Sequence, residues 1–91
     1  MDTGFLWDEM KRQQVFREHD VTFYEVVSAF DDQRGLDLPD PQHHEDRYLL
    51  VGYTVTARIL VIVYEALDEA LYRIVTAFDA EGAYRHAYEQ E

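Results

Sequence analysis

Four side chains in this chain combine reactive chemistry with an unusual setting: His19, Arg47, Arg58 and Arg73. His19 falls at the end of a helical stretch, where the helix dipole favours a protonated imidazole. It can serve there as a general acid or base, or it can bond the last carbonyls of the helix. The three arginines lie in or beside apolar strands. Arg73 is the most informative, because it interrupts the run Leu71–Thr76, and an arginine so placed needs an acid or an anion. With 19 Asp/Glu against 8 Lys/Arg, an internal ion pair is the common outcome. Two or three arginines gathered on one sheet face would instead make a phosphate site. Trp7, Tyr53, Tyr64, Tyr72, Tyr84 and Tyr88 offer ring faces on which bases can stack, although tyrosines at such spacings more often rim a core. His43-His44-Glu45-Asp46, after Asp37 and Asp40, has metal-binding donors but not the spacing of a ligand set. It reads as a solvated loop, and no metal or cofactor is expected. There is no glycine-rich phosphate loop and no serine-centred nucleophile motif.

The elements that must position these residues follow from patterning. Ile59-Leu60-Val61-Ile62-Val63-Tyr64 is the longest unbroken apolar run. Five of the six are β-branched or aromatic, and the lack of polar alternation predicts a strand covered on both faces. A turn at Leu67-Asp68-Glu69 leads to a second strand over 71–76. Alternation there puts Leu71, Arg73 and Val75 on one face and Tyr72, Ile74 and Thr76 on the other. The two strands form an antiparallel hairpin at the sheet centre.

Around this hairpin, Phe5-Leu6-Trp7 reads as an edge strand and Asp8 as the N-cap of a helix over 9–19. Met10, Val15 and Phe16 supply its apolar face. Asp20 stops it less well than a glycine would. Thr22 and Glu25 have capping-box spacing, with Val21 and Val26 as the staple. Phe23, Val26, Val27 and Phe30 follow as one amphipathic stripe. Leu36-Asp37-Leu38 reads as a short strand stopped by Pro39 and Pro41, and Tyr48–Tyr53 as another. Thr54–Ala57 is the turn into Arg58. Asp79 is expected to cap a final helix over 80–89. The layout is α+β: an antiparallel sheet with two leading helices and one trailing helix packed on it.

Ninety-one residues make one domain, 1–91. The hydrophobic share of 47% is well above that of disordered chains. The absence of cysteine rules out disulfides and thiolate metal sites. No segment reads as a signal peptide or membrane span, so a cytoplasmic protein is expected. The net charge of −11 repels phosphate backbones at long range and attracts basic partners.

Phe5-Leu6-Trp7-Asp8-Glu9-Met10-Lys11 resembles the F-x-W-D-x-x-K opening of the BrnT toxins, and Arg17–Phe23 resembles their R-K-H-G-V-S-F. Asp40-Pro41-Gln42-His43 with Asp46-Arg47-Tyr48 is similar to their D-P-x-H-S…E-E-R. Gly52 and Arg58–Tyr64 are similar to I-G…G-R-L-L-V-V-V-Y, Arg73–Ala77 to R-I-I-S-A, and Tyr88-Glu89 to the terminal Y-E. The resemblance implies a RelE-like fold and a metal-independent ribonuclease toxin of a type II toxin–antitoxin system. It implies a BrnA-type, ribbon-helix-helix antitoxin as partner and RNA as substrate. A homo-oligomer is compatible with it. Carried over, His19, Arg58 and Arg73 take catalytic roles, and Trp7, Lys11 and Arg47 bind substrate. His19 moves the proton, while Lys11 and the arginines hold the phosphate.

Several positions depart from the family pattern. Phe78 stands where an arginine is usual, Glu18 replaces a lysine, Asp20 replaces a glycine, and the final helix is less basic. Each change removes positive charge or adds negative. Three readings follow: an active ribonuclease with weakened catalysis, an inactive interaction module binding a basic antitoxin-like partner, and an acidic nucleic-acid mimic.

Overall fold

A computed structural model describes residues 4–40, 42 and 46–90. The elements are β1 (Gly4–Trp7), α1 (Glu9–His19), α2 (Phe23–Ala29), β2 (Leu36–Pro39), β3 (Arg47–Tyr53), β4 (Ile59–Asp68), β5 (Leu71–Asp79) and α3 (Gly82–Glu89). The five strands form one sheet in the order β1-β5-β4-β3-β2. Pairing is antiparallel from β5 to β2, and β1 adds parallel to β5, so the sheet is mixed.

The apolar run becomes the central strand. Leu60, Val61 and Ile62 are fully buried, as a strand with both faces covered requires. Leu60, Ile62, Tyr64, Ile74 and Ala77 face α1 and α2 together with Leu50. Val61, Leu49 and Val51 form a second core on the opposite face, with Phe78, Tyr84 and Tyr88 against it. Gly52 lets α2 sit close to β3: a Cβ there would lie 2.8 Å from the Ala29 carbonyl oxygen.

The local cap signals act as their residue types predict. The Asp8 carboxylate accepts from the backbone N–H of Met10 and of Lys11, both at 3.1 Å. The Thr22–Glu25 box closes in both directions, at 3.2 and 3.0 Å. Asp20 ends α1 in the left-handed conformation, with φ 55°.

Five expectations need correction. Met10 and Phe16 are 79% and 52% exposed, and only Val15 of that face is buried. Phe16 is rotated roughly 100° from Val15 and Met10 roughly 140°, so neither shares its line of contact. The alternation on β5 breaks at Val75: Ile74 pairs with Tyr64 but Thr76 pairs with Val63, which moves Thr76 to the other face. β4 runs on to Asp68, and the turn is Glu69-Ala70. Asp79 ends β5 and gives its carboxylate to Arg58, so α3 starts later, behind Glu81, with no side-chain cap. Pro39 lies within β2 rather than beyond it, as an edge strand tolerates. Pro41 and the His43-His44-Glu45 group lie outside the described residues.

Candidate functional site

The candidate residues occupy two ends of the sheet. Arg58 stands just before β4, and its guanidinium reaches back to α1 and α2. Its Nε and Nη2 donate to Asp79 Oδ1 and Oδ2 at 3.1 and 3.0 Å. Its Nη1 donates to Glu25 Oε2 at 3.1 Å and to the Asp20 carbonyl at 2.6 Å, and Nη2 also donates to the His19 carbonyl at 3.1 Å. The five N–H bonds of a guanidinium all point at protein acceptors. Asp79, outweighing partial burial, holds Arg58 above the usual arginine value, with Glu25 adding to it. Burial pushes the Glu25 carboxyl up, but bonds from Thr56, the Thr22 backbone and Arg58 outweigh it and leave the group below its usual range.

His19 therefore sits beside Arg58 through its main chain. Its ring faces Phe78, with centroids 6.1 Å apart, and its Nε2 lies 3.9 Å from Glu18. A cleft of about 470 Å³ opens next to Arg58, lined also by Tyr53, Asp79, Glu81 and Arg85.

The second group forms a row across three strands. Strand register sets Arg47 opposite Glu65 and Glu65 opposite Arg73. Each guanidinium approaches Glu65 at 3.5 Å. Leu6 of β1, 45% exposed, pairs with Arg73 and extends the row. Arg73 is half exposed, whereas Arg47 is mostly covered, with its Nε buried and unbonded. Two cations sharing one carboxylate leave an excess positive charge here, which suits an anion. The row lies on the α3 face of the sheet, past the end that α3 covers. Along β4, Glu65 is seven positions on from Arg58, about 23 Å at the usual strand rise. The sheet brings Arg47 and Arg73 together, and it brings His19 near Arg58, but it does not join the two pairs.

Trp7 and Lys11 belong to neither group. Trp7 packs into the α1–α2 core with its ring edge-on to Phe23 at 5.7 Å, and its Nε1 is buried without an acceptor. Lys11 is exposed on the first turns of α1 and has no ion pair among the described residues. Of the tyrosines, Tyr84 and Tyr88 pack in the second core, and Tyr88 donates to Asp32 at 2.6 Å. Burial, with that carboxylate, raises the Tyr88 hydroxyl to about 12.

Glu65 escaped the sequence reading, although it directly follows the apolar run. Only the strand register shows that it falls between two arginines. The spacing of Glu25 from Thr22 predicts only a cap, and nothing local points to Arg58, 33 residues on.

The family model described as the ribonuclease toxin BrnT of type II toxin–antitoxin systems matches residues 7–83. The chain belongs to this family. All six candidate residues fall inside the matched span, and membership in a toxin–antitoxin family implies an antitoxin as partner. Among solved structures, the Brucella abortus ribonuclease toxin BrnT is similar, with a TM-score of 0.71 and 18% identity over 88% of this chain and 99% of that one. At that identity the likeness speaks for the fold, an α+β arrangement that both chains share. No curated protein sequence matches the chain.

Proposed function

We propose that this BrnT-family chain is the toxin of a type II pair and cleaves RNA in the cytoplasm without metal, at a reduced rate. Its partner in this reading is a BrnA-type ribbon-helix-helix antitoxin. The observation that carries the reading is the Arg47–Glu65–Arg73 row: two guanidinium groups over one carboxylate on an open stretch of sheet. A phosphodiester seated there is gripped by Arg47 and Arg73 as Glu65 gives way. A base takes the proton of the ribose 2′-hydroxyl, and O2′ attacks the adjacent phosphorus. The 5′ oxygen then leaves with a proton, giving a 2′,3′-cyclic phosphate and a 5′-hydroxyl end. The arginines stabilise the charge that builds on the phosphoryl oxygens.

The proton step falls to Glu65, inside the row; His19, expected from the sequence to move the proton, stands beside Arg58 at the other end of the sheet, out of hydrogen-bond reach of a phosphodiester seated at the row. Arg58, with every donor engaged, acts as a positioning residue that fixes the end of α1 carrying His19. Phe78, where the family usually has arginine, pairs with Val61 toward the Arg58 end and packs in the second core, so that end of the sheet has one cation fewer; the separation of His19 from the row is the reason for the reduced rate.

Expression in a bacterium tests this. Growth arrest that Arg73→Ala abolishes supports the nuclease, and purified protein should cut RNA equally with and without a chelator. Loss of cutting in Glu65→Gln but not in His19→Ala assigns the base to Glu65, and the reverse would move the reaction from the row to the Arg58 end. No arrest and no cutting would sink the enzyme and favour the inactive module. One observation favours that second reading: each of these three arginines already has a carboxylate.

A further inference from the structure

The face of the sheet opposite the arginine row carries a feature that RNA cleavage does not use. At the same end, β3, β4, β5 and β1 each present one ring toward the α1–α2 side: Tyr48, Tyr64, Tyr72 and Phe5. Neighbouring centroids in this row are 5.8, 4.9 and 6.1 Å apart. Phe30, just past α2, lies over the row at 5.0 Å from Phe5, 5.1 Å from Tyr64 and 5.6 Å from Tyr72. Beside these rings a cleft of about 460 Å³ opens to solvent. Its lining holds three carboxylates, Asp31, Asp32 and Asp37, and no lysine, arginine or histidine among the described residues.

The carboxylates are not equivalent. Asp32 is taken up by the Tyr88 hydroxyl, the Tyr53 N–H and the N–H of Arg34. Asp37 accepts one bond, from the Tyr64 hydroxyl at 2.8 Å, and keeps further acceptor capacity. The exposed Asp31 carboxylate has no partner among the described residues.

This chemistry selects a ligand class. Aromatic faces carry negative charge density and attract cations. An anion would meet both the rings and the carboxylates unfavourably. A metal ion needs converging oxygens, and the described carboxylates form no group that could hold one. A guanidinium fits both parts of the cleft, since its plane stacks on a ring while its edge forks onto a carboxylate. The net charge of −11 draws basic proteins toward the surface as a whole.

We propose that this cleft receives an arginine side chain presented by a basic partner protein, stacked on the partly exposed Tyr72 and Phe30 rings that line it and paired with Asp31 and Asp37. The proposal is independent of RNA cleavage, because the arginine row lies on the other face.

The test is an NMR titration of the full chain with three probes: a capped glycine-arginine-glycine peptide, the same peptide with citrulline, and spermidine. The arginine peptide is expected to shift the ring signals of Tyr48, Tyr64 and Tyr72 saturably, and the citrulline peptide to leave them still. Asp31→Asn and Asp37→Asn, both at exposed positions, should keep the fold and each weaken binding about two- to fivefold, as loss of one exposed charge contact does. Equal binding of the citrulline peptide would overturn the proposal, because charge would not matter. Absence of any saturable shift would overturn it too. Tighter binding of spermidine at the same rings would reassign the cleft to a free amine and overturn the protein side chain as its occupant.

Discussion

The two ends of the sheet solve the same problem in opposite proportions. At the Arg58 end one guanidinium is divided among two carboxylates and two main-chain carbonyls. At the Arg73 end two guanidiniums divide one carboxylate. An arginine with more acceptors than it can use is a clamp, since its charge and every N–H are spent on holding α1, α2 and β5 in place. A pair with too few acceptors keeps charge in reserve and gains by binding an anion. Residue type alone does not separate the two roles. The count of acceptors around each guanidinium does.

Stability measurements should divide the two ends most sharply. Arg58→Ala strands the buried Glu25 carboxylate, so a loss of about 3–5 kcal/mol is expected in urea unfolding. Arg73→Ala, at a half-exposed position, should cost less than about 1 kcal/mol. A comparable loss at both sites would erase the distinction.

The opposite order is expected in RNA cleavage. Arg73→Ala should slow cutting on the order of 10²–10³-fold, the cost of one transition-state donor, while the protein stays folded. A variant that cuts at the original rate would move the chemistry away from the row.

Acid should loosen the Arg58 end in particular. The Glu25 carboxyl lies below its usual value of 4.5 in the folded chain, so its stabilisation is complete above that value and fades as pH falls through the lower folded one. The stability gap between the original chain and Glu25→Gln should therefore be wide near neutrality and narrow below pH 4.5. A gap that does not change with pH would show that the carboxylate's charge contributes nothing.

A gain in stability, not a loss, is expected beside the clamp. Asp20 holds a left-handed backbone, φ 55°, which costs a residue with a side chain about 1 kcal/mol or more relative to glycine. Asp20→Gly keeps the carbonyl that Arg58 binds and should raise stability by about 1 kcal/mol, read from the denaturation midpoint. A decrease would mean that the Asp20 side chain stabilises α1 in its own right.

What could be read from the sequence was what is local. The Asp8 cap, the Thr22–Glu25 box and the buried run of β4 each depend on residues within one or two turns, and each forms as its types predict. The start of α3 departs from its local signal for a different reason. Asp79 has the chemistry of a cap, but it is claimed by an arginine 21 residues earlier. The bulge at Val75 likewise belongs to the pairing of β4 with β5 and not to either strand alone. The site divides along the same line. Arg73 was recognisable as a cation in an apolar strand, whereas Glu65 acquires meaning only once register places it between Arg47 and Arg73. The aromatic row is also invisible in sequence order, because Phe5, Tyr48, Tyr64 and Tyr72 come from four separate strands.

The first strand of the chain lies parallel to the last, with Gly4 paired to Leu71. A ribosome releases Gly4 long before its partner exists. At roughly 5–20 residues per second, the wait between the two is roughly 3 to 13 s. During that interval the sheet lacks one edge and the rings of Phe5 and Tyr72 have not met. A nascent copy therefore cannot close this edge of its sheet until Leu71 has been made.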